Sequence, residues 1–145
     1  MILCGVFLWF GSGYSHQGGH SLVELIANPK RFHNDRVGVS GFLSLEFEGN
    51  QLYLHREDYE QGLSRNAVWI EASPEMMERK EEIDLRYVRL LGRFNAKNHG
   101  HMGHWVGAIE RVEWIQILPS RKEIEALRQS NEVGTASAVR ENAPR

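Results

Sequence analysis

The chain has 145 residues, 25% of them charged and 41% hydrophobic, with a formal net charge of -2. That length and balance fit one globular domain with its own core, and they exclude both a strongly basic nucleic-acid-binding type and an acidic disordered one. Cys4 is the single cysteine, which excludes an intrachain disulfide and a cysteine-based zinc or iron–sulfur site and leaves the compartment open between cytoplasm and export.

Ile2 to Phe10 is apolar, too short to span a bilayer but of the length of a signal-peptide apolar region, with Gly11 and Gly13 ahead of a cut at Tyr14. No Lys or Arg precedes it, so a buried strand is the other reading. Residues 1–19 are set apart on this basis as an apolar segment and a linker rich in Gly, Ser and His. Ser21 then stands three residues before Glu24, the spacing of a capping box, and Leu22, Val23, Leu25 and Ile26 form an apolar stripe. This predicts a short helix that ends at Asn28, because the residue before Pro29 is pushed out of the helical region.

From Val37 to Phe47 the chain alternates, with Val37, Val39, Leu43, Leu45 and Phe47 on one face of a predicted strand. Gly49-Asn50 makes a turn, and Gln51 to His55 returns as the second strand with Leu52 and Leu54 inward. Arg56 to Gly62 fits one or two helical turns, and Ala67 to Ala72 resumes as a strand with Trp69 opposite Val68 and Ile70. Ser73-Pro74 opens a charged helix to Glu82, whose apolar anchors are Met76 and Met77. Arg86 to Phe94 is the fourth strand, with Tyr87, Arg89, Leu91 and Arg93 on one face. Trp105 to Leu118 is the fifth, its alternation broken at Glu110-Arg111 by a bulge or bend.

Five strands with a helical insertion before the fourth predict a mainly β fold: a five-stranded OB-like barrel over residues 20–119, with short helices at the N-terminus and between strands. A small open antiparallel sheet is the rival architecture. Residues 120–145 read as a polar tail, a frayed helix through Ile124 and Leu127 followed by disorder. The segment from Glu24 to Phe42 has a helix, an Asn-Pro stop, an aromatic, a polar turn and a strand ending in Gly-Phe. With Leu52 to Glu60 and Asn98 to His104, it resembles small uncharacterised bacterial OB-fold-like proteins. The resemblance implies the fold rather than an activity.

Two constellations carry candidate chemistry. His99, His101 and His104 fall on a glycine-softened loop, where imidazoles could take Zn, Cu or Ni, with His55 as an alternative third ligand. The spacing matches no established zinc pattern, so the other reading is a polar connecting loop. On the outward face of the barrel, Phe42, Tyr53, His55, Trp69, Tyr87, Arg89, Arg93 and Trp105 could gather as a ligand-binding face, aromatic rings stacking on bases and arginines meeting phosphates. The alternative makes these aromatics a second core under the helices, with Arg89 and Arg93 paired to Glu71 or Glu113. No nucleophile motif, phosphate loop or HExxH run is present, and His55 with Glu57 or Asp58 is ordinary surface chemistry.

The expected function is therefore a non-enzymatic OB-like binding module for a single-stranded nucleic acid or a protein, although the net charge gives no support to nucleic acid. A metal-binding envelope protein using the His99–His104 loop is the alternative. An assembly or immunity factor contacting its partner through Glu57 to Glu60 is a third.

Overall fold

The computed structural model describes residues 19–47 and 49–130. The apolar run Ile2 to Phe10, Cys4 and the tail beyond residue 130 lie outside the described residues. No helix among the described residues is long and apolar enough to cross a membrane.

The capping box at Ser21 forms as expected. The Ser21 hydroxyl accepts from the Val23 N–H at 3.3 Å, and the Glu24 carboxylate accepts from the Ser21 N–H at 2.8 Å, which starts α1 (Leu22–Ala27). Its buried residues are Leu22 and Leu25, each contributing about 2 kcal/mol by burial. Pro29 cannot continue the helix and opens a single 3-10 turn, Pro29–Phe32, that buries Phe32.

Five strands follow: β1 (Arg36–Ser44), β2 (Gln51–Tyr53), β3 (Ala67–Ile70), β4 (Arg86–Asn95) and β5 (Ala108–Ile117). Between β2 and β3 lies α2 (Arg56–Glu60), and between β3 and β4 lie α3 (Pro74–Glu78) and α4 (Lys80–Ile83). The strands close into a barrel in the order β1-β2-β3-β5-β4, all pairs antiparallel except β3 with β5. This is the expected five-stranded OB-like barrel with its helical insertion before the fourth strand. Gly41 lets β1 coil from β4 onto β2, since a Cβ there would lie 2.5 Å from the Tyr53 carbonyl oxygen. The β3–β5 seam is brief: Trp69 pairs with Ala108 and Ile70 with Ile109, the Trp69 and Glu71 N–H groups donating to the Gly107 and Ile109 carbonyls.

Alternation fills the barrel. Val37, Val39 and Leu43 of β1, Leu52 of β2, Val68 and Ile70 of β3, Val88, Leu90 and Phe94 of β4 and Ile109 of β5 are buried in one cluster. Met76 of α3 and Ile83 of α4 join it, so each short helix is pinned by one apolar residue.

Some expectations are corrected. Phe47 does not face the core but is 98% exposed, because β1 ends at Ser44. The Leu45 N–H donates to Asp84 Oδ1 at 2.8 Å instead of to a strand, and the chain turns through Glu46 and Gly49. The second strand stops at Tyr53, since His55 becomes the N-cap of α2. The helix expected to run to Glu82 breaks at Arg79 into α3 and α4, and Met77 faces water while Met76 anchors. Trp105 precedes β5, its N–H taken by the His99 carbonyl. The break at Glu110-Arg111 is present: Arg111 has φ 49° and the β4–β5 register shifts between Leu91 and Arg93. Residues 121–130 are helical, as the frayed-helix reading of the tail expects.

Candidate functional site

The outward face of the barrel divides into two surfaces of different character. The first lies over β1, β2 and β3, where Phe42, Tyr53, Ala67 and Trp105 form a separate buried cluster with Tyr59 and Trp69 packed on it. α2 supplies Tyr59, whose ring sits 5.6 Å from Phe42 and 5.7 Å from Tyr53 between centroids. The helix is tied down by Asp58, a buried carboxylate that accepts from the His55 N–H at 3.0 Å and from Asn66 Nδ2 at 2.7 Å. Tyr59 donates its hydroxyl to Glu46 at 3.2 Å. Burial first, then that bond, raises the Tyr59 hydroxyl above its ordinary value, and burial does the same for Tyr53, so both rings stay neutral.

The connection from β4 to β5 folds over the other side of this layer. Trp105, 6% exposed, tilts onto Trp69 at 4.8 Å and donates its indole N–H to Gln51 Oε1 at 3.0 Å. Gly100 has φ 69°, and a Cβ on it would sit 2.5 Å from the Trp105 ring. Asn98 braces the loop through Glu110 at 2.8 Å and the Gly100 N–H at 3.0 Å. Tyr53 and Trp105 are thus buried in this layer and Trp69 is partly buried against it, the arrangement that the packed alternative describes.

The three loop histidines do not converge. His99 Nδ1 lies 2.7 Å from the Trp105 carbonyl oxygen and so carries the proton, His104 stands edge-on to Trp105 at 6.0 Å, and His101 is exposed at the tip. Among the described residues no group of three or more His, Cys, Asp or Glu side chains is placed to hold a metal ion. The expected Zn, Cu or Ni ligand set of His99, His101 and His104 is thus not assembled in this fold, because its members brace the loop or face water. His55 is exposed, with Nδ1 3.3 Å from Asp58, and belongs to the start of α2.

The second surface is the outer face of β1, β4 and β5, and it is open. β4 sends Tyr87, Arg89, Leu91 and Arg93 outward. Register sets Arg36 beside Arg93, Gly38 beside Leu91 and Ser40 beside Arg89 on β1, and Trp114 beside Leu91 and Gln116 beside Arg89 on β5. Neighbouring strands lie about 4.8 Å apart, so Leu91 and Trp114 form an apolar centre with arginines on both sides of it. Trp114 is 46% exposed and Tyr87 37%.

No known protein decides the question. No family model matches the chain, and no curated protein or solved structure is significantly similar to it.

Electrostatics on the open face are those of oriented but unsaturated cations. Arg36 grips Glu113 with two nitrogens, at 3.0 and 2.7 Å, and this hydrogen-bonded pairing holds the Glu113 carboxyl below the usual carboxylate range. Arg89 donates Nε to Ser40 Oγ at 3.2 Å, and Arg93 donates Nη1 to the Asn34 carbonyl. The expected partners Glu71 and Glu113 are thus not the ones that Arg89 and Arg93 take. A guanidinium has five N–H donors, so each keeps several toward water. Of the expected ligand-binding residues, Tyr87, Arg89 and Arg93 come together here, while Tyr53, Trp69 and Trp105 lie under cover and His55 stands apart. Leu91 shares that strand face as the alternation expects, and Arg36 and Trp114, to which the sequence pattern does not point, complete it. Arg36 precedes the visible alternation, and the bulge at Arg111 scrambles the parity that would have turned Trp114 outward.

Proposed function

We propose that this chain is a non-enzymatic OB-like binding module that takes a single-stranded nucleic acid on the open β1–β4–β5 face. The observation that carries the reading is the placement of Arg36, Arg89 and Arg93 around the exposed rings of Trp114 and Tyr87 on one uncovered sheet surface. Aromatic faces stack on bases without regard to sequence, and arginines on a surface track the phosphates. From Tyr87 to Arg93 the outward side chains of β4 cover about 20 Å, enough for a few nucleotides. A protein partner is the second reading, favoured by Phe47, an aromatic side chain 98% exposed beyond the end of β1.

Anisotropy of a labelled oligothymidylate of about 12 nucleotides, titrated over a salt series, tests the first reading. With Arg89 and Arg93 on phosphates and Arg36 held by Glu113, the log–log slope is about -1.4, and Arg93→Gln makes it shallower. Trp114→Ala weakens binding by about 1 to 3 kcal/mol. Absence of binding at low salt to both DNA and RNA single strands refutes it.

A further inference from the structure

At the end of this face the first residues of β4, the start of α2 and the terminal helix enclose a cleft of about 570 Å³. Its walls are Arg56, Arg86, Tyr87, Leu118, Ser120 and Glu123. Tyr87 belongs to both places: its ring forms part of the open face, and its hydroxyl, which accepts from the Arg56 N–H at 3.1 Å, lines the cleft. That hydroxyl keeps its own proton to donate.

The two arginines are held differently. Arg56 lies over the face of Phe42 at 5.1 Å, a stacked position that steadies the guanidinium while leaving its N–H edge available, and it makes no ion pair among the described residues. Arg86 meets Glu123 through one contact of 3.4 Å, longer than the ~2.8 Å of a strong charge-assisted bond. The better bond of Glu123 goes elsewhere, from the Ser120 N–H at 2.6 Å, as part of the cap on the terminal helix. The Ser120 and Glu123 N–H groups at that helix start are thus engaged by their own cap, and the side chains of the cleft that attract an anion are the two guanidiniums and the Tyr87 hydroxyl.

We propose that this cleft seats the terminal phosphate of the single strand whose body lies along β4, and so makes the module selective for phosphorylated ends. The inference rests on the nucleic-acid reading above. A terminal phosphomonoester carries about -1.5 to -2 charge and three acceptor oxygens, against a single charge for an internal phosphodiester. It therefore gains most from two converging guanidiniums. On entry it takes Arg86 from Glu123, which keeps its Ser120 bond. Leu118 supplies an apolar wall on which the terminal sugar rests, and Tyr87 passes the strand on toward Arg89 and Arg93.

The experiment compares oligothymidylates bearing a 5′-phosphate, a 3′-phosphate or neither, by anisotropy, on the wild-type chain and on Arg56→Gln, Arg86→Gln, Glu123→Gln and Arg93→Gln. One phosphorylated end binds about tenfold more tightly than the plain strand. Arg56→Gln and Arg86→Gln each remove most of that gain, Glu123→Gln increases it, and Arg93→Gln weakens all three strands alike. Equal affinity for phosphorylated and plain strands overturns the cleft assignment and leaves the open face standing. A gain that survives both cleft substitutions overturns it too, by placing the phosphate elsewhere. Failure of every strand to bind removes the nucleic-acid reading and this inference together.

Discussion

Gly100 and Gly103 give a paired test of whether the β4–β5 connection is packed onto the barrel. Both have positive φ, 69° and 70°, so an alanine at either pays the same left-handed backbone strain, about 1 kcal/mol. Their surroundings differ. A Cβ at Gly103 meets nothing within 4 Å, whereas one at Gly100 falls 2.5 and 2.8 Å from the Trp105 ring and 2.9 Å from Trp69. Those indoles have nowhere to go, since they already lean on each other and Trp105 is fixed to Gln51. Overfilling such a site costs about 1 to 3 kcal/mol. The expected loss is thus about 1 kcal/mol for Gly103→Ala and about 2 to 4 kcal/mol for Gly100→Ala. Urea unfolding followed by tryptophan fluorescence measures both midpoints under one slope. Equal losses in the two variants refute the packed loop and return Trp69 and Trp105 to the list of rings open to a ligand.

The Arg36–Glu113 pair predicts a pH dependence. Glu113 is held below its ordinary value of 4.5, so the stability it lends is present above that value and disappears as pH falls through its lower folded value. In Arg36→Gln, an NMR titration of the Glu113 carboxyl moves upward toward 4.5; no upward movement means that the pair does not form in solution. Asp58→Ala removes the acceptor for both the His55 N–H and Asn66 Nδ2 and lowers stability by about 2 kcal/mol, with Asp58→Asn recovering part of it through its remaining amide oxygen. Thermal unfolding checks this, and a loss under about 0.5 kcal/mol places α2 outside the cooperative fold.

What the sequence makes legible is set by local physics. Ser21 and Glu24 announce α1 because a capping box is complete within four residues, and Val88, Leu90 and Phe94 announce β4 because one face of that strand is buried from Val88 to Phe94. Phe47 illustrates the converse: alternation continues past the strand, while the strand's end is set by Asp84, 39 residues from Leu45, whose N–H it takes. The candidate face divides for the same reason. A period of two says that Tyr53 and Trp69 point away from the barrel interior, but it does not say whether something lies over them. Here Tyr59 and the loop bearing Trp105 do so, and both arrive from other parts of the chain. Over Arg89 and Arg93 pointing outward does mean facing water, while Tyr87 stays 37% exposed although Arg56 of α2 meets its hydroxyl and its ring stands edge-on to Phe42.

The brevity of the β3–β5 seam bears on how the ring is completed. β4 and β5 are antiparallel neighbours in the chain and β1 adds to them along most of its length, so that sheet can assemble before any closure. Closure is different, because it joins two short parallel stretches separated by the whole of β4 and the long connection after it. The same connection delivers Trp105 onto Trp69, one of the two residues of β3 that form the seam. The docked loop and the closed ring therefore share one residue, Trp69. The aromatic layer acts as a buckle: a molecule that lets it go opens between β3 and β5 while its arginine-bearing sheet stays whole.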